Sequence, residues 1–190
     1  DLATLYAHWH KRFHSGQRGK SMREIHSICM FALCLENQTE TSYLIGFQNA
    51  EQGAIEIDRI FQDDFGEYQD VDFILAPEPK KESKGSTIHH RCQLKSFIHQ
   101  TSTDEKTWCN FLKKSLRVAD DQDLRLVIHI EQEGRFNYLF LHAYLNCEHT
   151  RCPYSQVFAF GKHKPDTWFC YHVYPDIAIM PELTDSTAET

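Results

Sequence analysis

The feature that most limits how this chain can fold is a ten-residue stretch, Pro77-Glu-Pro-Lys-Lys-Glu-Ser-Lys-Gly-Ser86, with two prolines, a glycine and nothing that can carry a core face. Val71-Asp-Phe-Ile-Leu precedes it, and Ile88-His-His-Arg-Cys-Gln-Leu-Lys-Ser-Phe-Ile follows. Both flanks favour β structure. The polar stretch therefore reads as an exposed loop over Ala76 to Thr87, with the second strand returning beside Asp72. Next comes Ser102-Thr-Asp-Glu105, a capping box that opens a helix with an apolar face of Trp108, Phe111, Leu112 and Leu116. Lys113, Lys114 and Arg117 fall near its end, where the helix dipole favours cations. Leu124-Arg-Leu-Val-Ile-His-Ile130 then reads as a buried strand.

Upstream, Leu2, Leu5, Tyr6, Trp9 and Phe13 recur at helical spacing, and Ser15-Gly-Gln-Arg-Gly breaks that helix. A second, mostly buried helix is predicted from about Ser21 to Glu36, since Ile25, Ile28, Cys29, Ala32, Leu33 and Leu35 cover much of its circumference. Tyr43 to Phe47 and Ala54 to Phe61 are further candidate strands. Phe136 to Leu145 is apolar enough for either strand or helix. Gln156 to Phe160 and Trp168 to Tyr174 flank Gly161-Lys-His-Lys-Pro-Asp and predict a hairpin, after which Pro175 to Leu183 reads as an extended segment able to join a following domain or a partner.

Composition sets the outer limits. With 190 residues, 41% hydrophobic and 25% charged, the chain is expected to form one globular α/β domain over 1–190. No apolar run reaches the roughly 20 residues that cross a bilayer, so no membrane partner is expected. The opening Asp1-Leu-Ala-Thr-Leu lacks the order of a secretory signal, and a chain starting at Asp1 is expected to be trimmed or cut from a longer protein. Seven cysteines, mostly within apolar segments, suit a reducing, cytoplasmic setting. A net charge of −7 argues against an extended nucleic-acid surface, so any phosphate binding must come from cations gathered locally.

Side chains two apart on a strand share a face, so Gln93 and Lys95 emerge together, with Asp72 on the neighbouring strand. A carboxylate, an amide oxygen and an ammonium at one sheet position can hold a hard divalent cation and orient a water for phosphodiester hydrolysis. On Asp72, the strand Val71 to Leu75 and Gln93-Leu-Lys95, the sequence resembles the PD-(D/E)xK, or restriction-endonuclease-like, superfamily in a QxK variant, over a core of about 21–130. Within it, the closest likeness is to nuclease domains of bacterial antiphage effectors. The resemblance implies a central mixed β-sheet flanked by helices and a DNA endonuclease using Mg²⁺ or Mn²⁺. It makes Asp72 and Gln93 metal ligands and Lys95 the residue that positions water, with Asp70 or Glu24 as the further acid. Gln93 replaces the motif's second acid, and the naming proline is absent, Asp70 or Gln69 standing in its place. The alternative is a catalytically inactive domain of the same fold that binds nucleic acid, a partner protein or a further domain.

Other groups carry weaker signals. Lys80, Lys81 and Lys84 in the loop, and His90 on the strand, are candidate phosphate contacts, with Glu78 and Glu82 diluting the loop charge. Cys147, His149, Cys152 and Cys170 contain enough sulfur and imidazole for a zinc site, although buried thiols without metal are the expected reading. The aromatics of the section over 136–175, Phe158, Phe160, Trp168, Phe169, Tyr171 and Tyr174, suit either base stacking or a core. His8, His10 and His14 have poor spacing for a shared ligand and are expected at the surface.

Overall fold

A computed structural model describes residues 19–47, 72–77, 89–97, 105–117, 123–131 and 137–184. The expected helix over the first dozen residues, the strand from Ala54 to Phe61 and nearly all of the loop from Ala76 to Thr87 lie outside them, as do the three N-terminal histidines.

Helix α1 (Gly19–Thr39) leads into three antiparallel strands, β1 (Tyr43–Phe47), β2 (Phe73–Pro77) and β3 (His90–Phe97). Helix α2 (Glu105–Ser115) then crosses to β4 (Leu124–Ile130), which runs parallel to β3. Helix α3 (Tyr138–Leu145) makes a second crossover to β5 (Gln156–Lys164), parallel to β4. Parallel neighbours require such crossovers, because a tight turn can only reverse a strand. β6 (Thr167–Tyr174) returns antiparallel, and the short β7 (Ala178–Ile179) and β8 (Leu183–Thr184) both pair with it. The result is a mixed α/β fold whose sheet runs in the order β1 to β7, with β8 off that path.

Alternation along the strands divides the core in two. Cys92 and Leu94 of β3, Val127 of β4, Phe158 and Phe160 of β5, and Trp168 and Cys170 of β6 pack with α1 residues from Ile28 to Leu35. Phe97, Leu126, Ile128, Ala159, Phe169 and Tyr171 pack instead with Trp108 and Leu112 of α2 and Leu141 and Leu145 of α3. Helices thus cover both faces, α1 on one and α2 with α3 on the other.

The expectation from Ser21 to Glu36 corresponds to most of α1, and the strand from Ile88 to Ile98 to β3, which does return beside the Asp72 segment. The ambiguous stretch from Phe136 resolves as a helix because Leu141 and Leu145, four apart, fill one groove, and because the Asn137 side chain caps its start by accepting from the Phe140 N–H at 3.1 Å. The hairpin is present, but β5 runs four residues further than expected, through Lys164, so the turn narrows to Pro165 and Asp166 and Gly161 sits inside β5. There an added Cβ would come within 2.7 Å of the Ile130 carbonyl, so only glycine lets β5 approach β4 so closely. The segment after Pro175 folds back on β6. The aromatics Phe158, Phe160, Trp168, Phe169 and Tyr171 are all buried, as core residues and not as a stacking surface. No described helix is long and apolar enough to cross a membrane.

Candidate functional site

Asp72 stands immediately before β2, one residue from Phe73, whose register partner on β3 is Cys92. Its neighbour across the ladder is therefore Gln93. Its main-chain N–H donates to the Cys92 carbonyl at 2.9 Å, and its carboxylate Oδ2 accepts the Leu94 N–H at 2.7 Å. The side chain thus takes a place in the ladder that a main-chain carbonyl would otherwise fill. Such a charged acceptor on an amide N–H is among the stronger hydrogen bonds of a protein, and it fixes the carboxylate against β3.

Gln93 and Lys95 share the face of β3 that looks toward α2, opposite the Cys92 and Leu94 face. Gln93 is 4% exposed, a polar side chain within a hydrophobic layer. Its partner is Tyr154, from the segment leading into β5. The Tyr154 hydroxyl donates to Gln93 Oε1 and also lies 2.8 Å from the Ser115 carbonyl, to which it donates. Ser115 ends α2, so its carbonyl has no partner within the helix. A hydroxyl carries one proton and serves one of these oxygens fully at a time. Both are satisfied when the Gln93 amide is turned so that its NH₂ donates to the Tyr154 oxygen and the Tyr154 proton goes to Ser115. In that arrangement Oε1 points away from Tyr154. Lys95 is half-buried beside this layer, and no described carboxylate pairs with its ammonium.

The structure thus brings Asp72, Gln93 and Lys95 together. It does not bring the other expected groups to them. Glu24 belongs to α1, the helix on the opposite face. His90 shares the α1 face with Cys92 and Leu94, and burial, with Arg125 and His89 adding to it, lowers its pKa to about 4. It is neutral at pH 7 and offers phosphate no charge. Asp70, Lys80, Lys81 and Lys84 lie outside the described residues.

The four candidate zinc ligands are likewise separated. Cys170 is fully buried under α1, Cys152 packs against the opposite cluster, and Cys147 and His149 are exposed. Burial pushes the Cys170 thiol well above its ordinary range, which disfavours the thiolate a metal needs. Among the described residues no group of three potential ligands converges.

Tyr154 is the site residue that sequence reasoning missed. It lies in Cys152-Pro-Tyr-Ser155, a connection without periodicity, and its one signal is general: a buried tyrosine hydroxyl needs a polar partner. No protein family, curated protein or solved structure matches the chain, and the site stands on its own residues.

Proposed function

We propose that this is a nuclease domain of the restriction-endonuclease-like type, which hydrolyses DNA phosphodiester bonds with Mg²⁺ or Mn²⁺. One observation carries the reading: Asp72 is held by the Leu94 N–H across from Gln93, with Lys95 on the same face. The order of helix, antiparallel three-strand meander, helix and parallel strand supports it.

The donor set suits a hard cation. Asp72 supplies an anionic oxygen and Gln93, with its amide turned from Tyr154, a neutral one; Mg²⁺ is commonly held by one or two carboxylates, with water and phosphate completing its shell. When bound, the ion supplies Lewis-acid polarisation of the phosphoryl oxygen. The remaining work falls to the chain. Leu94 holds the carboxylate in place, Tyr154 fixes the amide, and Lys95 orients the attacking water and offsets charge that develops on the phosphate.

A second reading, a domain of this kind that binds nucleic acid or a partner without cleaving, is favoured by the contact in which Gln93 Oε1 accepts from Tyr154. With the amide held that way, Asp72 is the one remaining donor of the pair. Cleavage of linear duplex and single-stranded DNA by the purified protein in Mn²⁺ separates the two. The nuclease reading expects cleavage that Lys95→Ala reduces by roughly a hundredfold or more. Undiminished cleavage by that variant sinks the assignment, and DNA binding without cleavage by the unaltered protein supports the second reading.

A further inference from the structure

On the α1 face, three strands bring polar side chains to one end of the sheet. Arg125 of β4 is the register partner of Gln156 on β5. His172 of β6 lies opposite Phe158, two residues along from Gln156, and packs on that ring at 4.8 Å between centroids. Neighbouring strands are about 4.8 Å apart and two residues along a strand add about 6.7 Å, so Arg125 and His172 stand roughly 12 Å apart at the backbone, which an arginine side chain, an imidazole and one tetrahedral anion can span.

Two of the three carry a buried polar atom without a partner among the described residues, and the third is a cation without a described carboxylate beside it. Gln156 Oε1 and His172 Nε2 are buried without a hydrogen-bond partner among the described residues. Arg125 is half-buried, and no described carboxylate pairs with it. Burial lowers its pKa, and its charge also lowers those of His172 and His90, so it repels two imidazoles while no described carboxylate is paired with it. A guanidinium drawn partly out of water is ordinarily paired. Water can satisfy an amide or an imidazole nitrogen, but it gives Arg125 no counter-charge.

We propose that Arg125, Gln156 and His172 form a binding site for a small oxyanion, inorganic phosphate or a phosphate monoester, on the sheet face opposite Asp72 and Lys95.

The donor chemistry is consistent. Arg125 can only donate, and the Gln156 amide donates when its oxygen and nitrogen exchange places. The Tyr174 main chain favours the charged form of His172, and Nε2 is the ring nitrogen that is buried without a partner among the described residues. As imidazolium it donates to a phosphate dianion, and as neutral imidazole it accepts from the P–OH of a monoanion. Either way the complex holds one proton between them. Among the described residues, the other titratable groups facing this end are His90 and Cys92 of β3, Tyr43 of β1 with Glu36 of α1 holding its N–H, and Asp176 after β6. Cys92 is neutral, its thiol pushed up to about 12 by burial. Asp176 and Glu36 are the anions among them; Asp176 is exposed, and Glu36 is engaged by the Tyr43 N–H.

The test uses the unaltered chain, with inorganic phosphate and a nucleoside 5′-monophosphate as separate arms against chloride at equal ionic strength. Imidazole NMR resonances and the thermal midpoint are the readouts, and neither depends on cleavage or on metal. Saturable binding should shift the His172 resonances, raise their titration midpoint and be tighter at pH 6 than at pH 8. Arg125→Gln should weaken it at least about tenfold. Tighter binding of the monophosphate identifies a monoester as ligand, and the reverse identifies free phosphate. The site is refuted if neither anion moves His172, if chloride does the same, or if folded Arg125→Gln binds equally well. Should that variant not fold, the His172 response of the unaltered chain decides the matter alone.

Discussion

Replacing Tyr154 by phenylalanine removes one oxygen and leaves the ring in place, which isolates what holds Gln93. Tyr154, Gln93 and Ser115 are 3%, 4% and 4% exposed, so water cannot stand in for the lost hydroxyl. The variant leaves two buried polar groups, the Gln93 amide and the Ser115 carbonyl, short of a partner. At roughly 1–3 kcal/mol for each orphaned group, with partial relaxation of the amide, the cost comes to about 2–4 kcal/mol. In a chain of this size that corresponds to a fall of roughly 5–15 °C in melting temperature. Urea denaturation of the unaltered protein, Tyr154→Phe, Gln93→Leu and the double variant closes a thermodynamic cycle, and the contact predicts a coupling of about 0.5 kcal/mol or more between the two positions. A Tyr154→Phe protein within about 0.5 kcal/mol of the parent, or a cycle with no coupling, would refute the claim that Tyr154 secures the candidate site.

Further outcomes follow from the same contacts. Gly161→Ala drives a Cβ to within 2.7 Å of the Ile130 carbonyl and 3.0 Å of the Phe169 ring, so it should destabilise by about 1–3 kcal/mol; an unchanged urea midpoint contradicts the close approach of β4 and β5. His129 has its pKa lowered from 6.5 to about 4, mainly by burial, with His26 and Lys162 adding to the effect and Glu131 opposing it. Because the unfolded chain takes up this proton first, stability should be full above about pH 6.5 and fall as pH drops toward 4, and His129→Gln should flatten that fall. Cys29, Cys34, Cys92 and Cys170 are buried and Cys147 is exposed, so a thiol reagent at pH 8 should label Cys147 rapidly and those four only on unfolding. Rapid labelling of Cys170 in the native protein would contradict its place beneath α1.

Much of this architecture was legible because it rests on local signals. The apolar circumference of α1, the seven-residue apolar strand β4 and the strand-loop-strand pattern around Asp72 each follow from one dominant periodicity. The juxtaposition of Asp72 with Gln93 and Lys95 was legible for the same reason, since it needs only a strand pair and a shared face. What escaped depends on contacts between distant segments. Tyr154 reaches Gln93 across 61 residues, and the order β4, β5, β6 places Arg125, Gln156 and His172 on one face, which no local pattern encodes. The same long-range order carries Glu24 to the face opposite Lys95, where strand alternation by itself puts His90, and it separates Cys152 from Cys170. Phe136 to Leu145 was ambiguous because a short apolar run suits either element until the groove it fills is known.

The central claim is that Asp72 and Gln93 hold a divalent cation beside Lys95. Crystals soaked in Mn²⁺ and examined at a wavelength where manganese scatters anomalously test it most directly. The account predicts a peak within bonding distance of the Asp72 carboxylate, with the Gln93 amide oxygen turned from Tyr154 toward it and the Lys95 ammonium alongside. Density that remains flat there at saturating Mn²⁺, or a cation bound elsewhere while Gln93 still accepts from Tyr154, would contradict it.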